Sequence, residues 1–163
     1  MKKMIYSTVI FLFLSFQAIA QECKINLDTV LTENETFLED RTGAEYQVNF
    51  TEYFCPSFDE LMKAKELMIK NYNDAFLTVP GGKEYFKPIS DVREHLAKWK
   101  IQYSSYFDQN DHKNVYIYLI NDVPANKEVL KVWKTNSVLV FDHSDELLTL
   151  SFVVNIDDDT VRL

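Results

Sequence analysis

Three histidines are the side chains of this 163-residue chain best suited to acid–base or metal chemistry. Asp91 and His95 stand four apart, so on a helix they share a face and offer two metal ligands. No third ligand accompanies them, and the plain reading is a solvated helix rim. His112 lies in a loop with Asp108, Asn110 and Asp111, a faint echo of a calcium loop. The glycine and closing glutamate of such a loop are missing. His143 falls between Asp142 and Asp145, where an imidazole and a carboxylate would make an acid–base pair. Such a stretch is also an ordinary polar turn. No metal, cofactor or catalytic residue is assigned on this basis.

Glycine narrows the field further. The chain has three glycines, Gly43, Gly81 and Gly82. Dinucleotide fingerprints, phosphate loops and nucleophile elbows all use glycine where backbone must approach a ligand or turn sharply, and none can be built here. Gly81-Gly82-Lys83 is followed by Glu84 rather than by Ser or Thr, so it reads as a turn after Pro80, or as a loop over a pocket. Cys23 and Cys55 have neither C-x-x-C nor metal-ligand spacing. In an oxidising compartment they form one disulfide closing a loop of about 33 residues, which chain entropy values at roughly 3.5–4 kcal/mol. Asp157-Asp158-Asp159 is most simply a solvated acidic tail, with a cation site or a basic partner's docking strip as the functional reading.

Aromatic side chains are left as the candidate binding groups. Tyr103, Tyr106, Tyr116, Tyr118 and Trp133 are the ligand- or partner-binding candidates. Lining a hollow, they would make an apolar pocket with polar rims; facing outward, they would make a protein-binding patch.

Their positions depend on the surrounding elements. Val115 to Val154 reads as a four-strand antiparallel meander. Val115, Ile117 and Leu119 alternate with Tyr116, Tyr118 and Ile120. Val129–Lys134 and Ser137–Asp142 flank Thr135-Asn136 as a hairpin. Leu147–Val154 closes the sheet, with Leu148, Leu150, Phe152 and Val154 toward the core. Val129, Val132 and Trp133 also share a helical face, with Pro124 in its first turn, so 127–134 stands as strand or helix. Tyr46, Val48 and Phe50 alternate as a further strand.

Helices are expected before the meander. Ser57 and Glu60 form a capping box opening a helix whose stripe is Phe58, Leu61, Met62, Lys65, Met68, Ile69 and Tyr72. Ser90 caps a second over 91–107, which carries Tyr103 and Tyr106. Leu27, Val30, Leu31, Phe37 and Leu38 suggest a shorter one before Gly43. The expected class is α+β, with two or three N-terminal helices on one face of a four- to five-stranded antiparallel sheet.

A basic start, an apolar run from Ile5 to Phe16 and Ala18-Ile19-Ala20 mark residues 1–20 as a secretory signal peptide, leaving one domain over 21–163. Glu22 before Cys23 argues against lipidation. The leader removes Lys2 and Lys3 and no acid, so the mature chain is more acidic than the full sequence at −8. That sign excludes a nucleic-acid or anionic-membrane surface. Asn34-Glu35-Thr36 and Asn49-Phe50-Thr51 match the glycosylation sequon.

Size, one disulfide, acidity and missing catalytic motifs give the functional expectation. The chain reads as a secreted or periplasmic non-enzymatic protein that binds another protein, of the inhibitor or immunity type. The first alternative is a carrier of a small apolar ligand, held between helices and sheet. The second is a small hydrolase-like enzyme using a His–carboxylate pair.

Overall fold

The computed structural model describes residues 23, 26–27, 29–38, 50–78, 87–136 and 149–163. The expected signal peptide, the Pro80-Gly81-Gly82 turn, the 137–142 strand and His143 lie outside them. The described chain is α+β, with one long helix packed on a six-stranded, mostly antiparallel sheet. In chain order the elements are β1 (Glu35–Phe37), β2 (Phe50–Tyr53), α1 (Phe58–Thr78), α2 (Val92–Leu96), β3 (Trp99–Asp108), β4 (Lys113–Asn121), β5 (Thr149–Asn155) and β6 (Thr160–Arg162). Short 3-10 turns at Pro124–Asn126 and Val129–Lys131 separate β4 from β5.

Helix α1 begins where its capping box sits. The Glu60 amide donates to Ser57 Oγ at 3.2 Å, and the Ser57 amide donates to Glu60 Oε2 at 2.7 Å. The buried stripe is Leu61, Ala64, Met68, Tyr72, Ala75 and Phe76. These residues pack on the inward rows of the sheet: Ile101 and Tyr103 of β3, Val115, Ile117 and Leu119 of β4, and Leu150, Phe152 and Val154 of β5. The expected alternation on β4 and the core face of β5 both hold.

The sheet order is β1-β3-β4-β5-β6, with β2 also on β3. β1 runs parallel to β3 beside Ile101–Tyr103, and β2 runs antiparallel to it beside Tyr106–Asp108. One edge of β3 is therefore shared by two short strands. The Cys23–Cys55 disulfide, with Cα atoms 5.9 Å apart, joins the segment leading into β1 to the second residue after β2.

Five expectations are corrected. The helix over 91–107 is one turn, Val92–Leu96, and the rest is β3. Trp99, Tyr103 and Tyr106 do fall at three-and-four spacing. However, Trp99, Ile101 and Tyr103 also alternate with the polar Lys100, Gln102 and Ser104, and this strand period is the one the structure follows, in a strand flanked on both edges and buried on both faces. The helix over 27–38 is a turn in which the Val30 and Leu31 amides donate to Leu27 O, after which Glu35–Phe37 is a strand. Thr36 within it suits a strand better than a helix. The strand reading of 129–134 gives way to the 3-10 turn and the turns that follow it, with Val132 donating to Val129 O and both Thr135 and Asn136 to Val132 O. The main helix is thus central in the chain, between two early strands and four later ones, rather than N-terminal. Finally, Asp157–Asp159 is not a tail but the turn joining β5 to β6.

Candidate functional site: the aromatic face of the sheet

The face of the sheet turned away from α1 is built from the alternate residues of three strands. Across it, Ser104 of β3, Tyr116 of β4 and Val153 of β5 are in register, and so are Gln102, Tyr118 and Ser151. Tyr116 and Tyr118, two apart on β4, project to the same side. Their rings lie 6.4 Å apart and only 14° from parallel. Tyr116 is half-buried and Tyr118 is buried, so it is chiefly the Tyr116 ring, stiff and with a polar tip, that remains open.

At one end of this face, Trp133 packs on Tyr118 and Ile120, with Val129 and Leu130 beside it. Gln102 fixes that cover: its side-chain amide donates to Trp133 O, and to Asn136 O at 2.9 Å. Lys100 Nζ and Lys134 Nζ lie 5.9 and 5.3 Å from the Trp133 ring centre, within cation–π range. At the other end, Tyr106 and Val153 form a second cluster with Phe50, Tyr53 and Tyr116. Phe50 packs on Tyr53 with ring centroids 4.7 Å apart and planes tilted by 52°, and meets Tyr106 at 6.0 Å. Burial pushes the Tyr106 phenol up to about 12, and Arg162 opposes this in part. Burial also raises Tyr116, partly offset by its hydrogen bond with Ser151. Both phenols therefore stay protonated at ordinary pH and keep their O–H as donors.

Of the five sequence candidates, Tyr106, Tyr116, Tyr118 and Trp133 share this face. Tyr106 reaches it from a strand rather than a helix, and Trp133 from a turn rather than a strand. Tyr103 is elsewhere. It is fully buried against α1, where its O–H donates to Glu35 Oε1 at 2.7 Å. Sequence reasoning missed Tyr53 and Gln102. Gln102 was hidden by the helix assignment of 91–107, and Tyr53 lies just past the alternation that ends at Thr51.

The other candidates are dispersed. Asp91 caps α2, accepting from the Glu94 amide at 2.9 Å, while the His95 ring packs toward Tyr72 and Trp99 at 6.1 and 5.8 Å. Burial holds His95 below the ordinary imidazole value. Asp108 caps its own turn, accepting from the Asn110 and His112 amides at 2.9 and 3.1 Å. Among the described residues no group of three His, Cys, Asp or Glu is placed to hold a metal ion. A cleft of about 380 Å³ lies beside β1, lined by Leu31 together with the polar Thr32, Glu33, Glu35, Thr36, Lys134 and Thr135. In the sequon at Asn34, the side-chain oxygen takes Lys100 Nζ at 2.6 Å and Thr36 is 2% exposed within β1.

Comparison of the chain with protein-family models, curated proteins and solved structures finds no match. Among the described residues no helix is long and apolar enough to cross a membrane.

Proposed function

We propose that this is a secreted or periplasmic protein that binds another protein without catalysis, in the manner of an inhibitor or immunity protein, through the aromatic face of its sheet. One observation carries the reading. Phe50, Tyr53 and Tyr116 stand half-buried, beside the buried Tyr106 (1% exposed) and Tyr118 (7%), on one face of a sheet whose opposite face is the core. Tyrosine-rich surfaces on regular elements give large contact area at low entropic cost, which is what protein recognition uses. The acidic chain at −8 favours a partner of opposite charge and would speed their encounter. The Cys23–Cys55 disulfide suits an oxidising compartment.

The carrier alternative needs room between helix and sheet. There Tyr72, Phe76 and Phe152 meet at ring distances of 5.2, 5.5 and 6.3 Å, which favours the protein-binding reading. Native mass spectrometry of the protein purified gently from its own source distinguishes the two. A stoichiometric protein partner supports the proposal. A small added mass lost on denaturation supports the carrier.

A further inference from the structure

We propose that His112 is a pH-dependent clasp that fastens the β3–β4 turn to the β5–β6 turn, tightening as the pH falls. Its Nδ1 lies 3.7 Å from Asp108 Oδ2 and 3.5 Å from Asp158 Oδ2. The two carboxylates come from different hairpins, so the imidazole sits between separate parts of the sheet. Both are placed without its help. Asp108 accepts from the Asn110 and His112 amides through Oδ1. Asp158 donates its amide to Asn155 Oδ1 at 2.9 Å and accepts from Asn155 Nδ2 at 3.2 Å. A neutral imidazole carries one N–H and no charge. A protonated one places a cation between two fixed carboxylates.

The surrounding charges leave this role to His112. Lys113 of the same hairpin pairs with Glu60 of α1 at 2.6 Å. Lys63 of α1 pairs with Asp159 at 2.8 Å. Arg162 of β6 acts on Tyr106. Asp111 and Asp157 add further negative charge in the two turns, and Asp157 Oδ2 already accepts from the Lys113 amide at 2.7 Å. Asp111 and Asp159 both have left-handed backbone, φ 60° and 56°, so each turn contains a residue outside the common regions. Two backbone contacts report directly on the junction: the Lys113 amide to Asp157, and the Ile156 amide to Lys113 O at 3.0 Å.

The test is amide hydrogen exchange of the full mature chain, corrected for the intrinsic pH dependence of exchange, with buried amides of α1 as the reference for global opening. Between about pH 8 and about pH 5.5, protection at Lys113 and Ile156 rises about two- to five-fold, the size expected of exposed ion pairs. His112→Gln abolishes that rise and Asp158→Asn reduces it, while the α1 amides respond alike in all three proteins. An unchanged protection in the wild type, or an equal rise in His112→Gln, overturns the proposal.

Discussion

Tyr103 of β3 donates its phenolic hydroxyl to Oε1 of Glu35 on β1 at 2.7 Å, and Lys65 of α1 reaches the same oxygen at 2.7 Å. The second carboxylate oxygen accepts from the Thr32 amide at 3.2 Å and its hydroxyl at 2.7 Å. One buried acid thus joins β1, β3 and the main helix. Burial alone would raise its pKa, but the hydrogen bonds from Lys65, Tyr103 and Thr32 outweigh this and hold it below the usual glutamate value.

Because the folded pKa is lowered, Glu35 contributes stability that is complete above its unfolded value of 4.5 and lost as the pH falls through the folded one. Acid unfolding followed by circular dichroism should show this dependence below about pH 4.5. Glu35→Gln should flatten that limb of the profile, and an unchanged profile would show that other carboxylates control it.

Removing the partners of Glu35 should also cost stability at neutral pH. Tyr103→Phe loses a hydrogen bond to a charged group, a cost of about 1.5–3 kcal/mol. Glu35→Ala strands Lys65, which is only partly exposed, and should cost about 2–4 kcal/mol. Urea midpoints measure both.

The disulfide fixes the segment that carries β1. Cys23→Ser with Cys55→Ser should lower stability by about 3–4 kcal/mol in the chain-entropy account. Reduction of the wild type should give the same shift in thermal denaturation.

The cover over Tyr118 depends on Trp133 and on the amide of Gln102. Trp133→Ala should cost about 3–5 kcal/mol by leaving a cavity on Ile120. Gln102→Leu keeps the bulk but leaves the carbonyl oxygens of Trp133 and Asn136 without this donor, a cost of about 1–3 kcal/mol. Tryptophan fluorescence during urea unfolding reads out both.

The parts of the fold legible in the sequence were those with a single unbroken period. Helix α1 announced itself through Ser57, Glu60 and a stripe ending in the core. On β4, Val115, Ile117 and Leu119 alternated with two tyrosines, and the rows proved to lie on opposite faces. β3 was misread because two periods compete in it. Its period of two, with Lys100, Gln102 and Ser104 between Trp99, Ile101 and Tyr103, breaks at Ser105, and Trp99, Tyr103 and Tyr106 imitate a helix. β1 was hidden because three residues give no period at all, and it is held by the long-range contacts of Glu35 rather than by local preference. Four of the five candidate aromatics converged nonetheless, since each borders β4 whatever element carries it. Tyr103 diverged because odd and even positions of a strand face opposite ways.

The central claim is that the tyrosine face binds a protein. The most direct measurement compares native mass spectra of the wild type and of Tyr116→Ala with Tyr118→Ala, both purified from the natural source. The account predicts a stoichiometric protein partner on the wild type, lost or weakened at least tenfold in a variant that remains folded by circular dichroism. A partner retained undiminished by the folded variant, or a small ligand in its place, would contradict it.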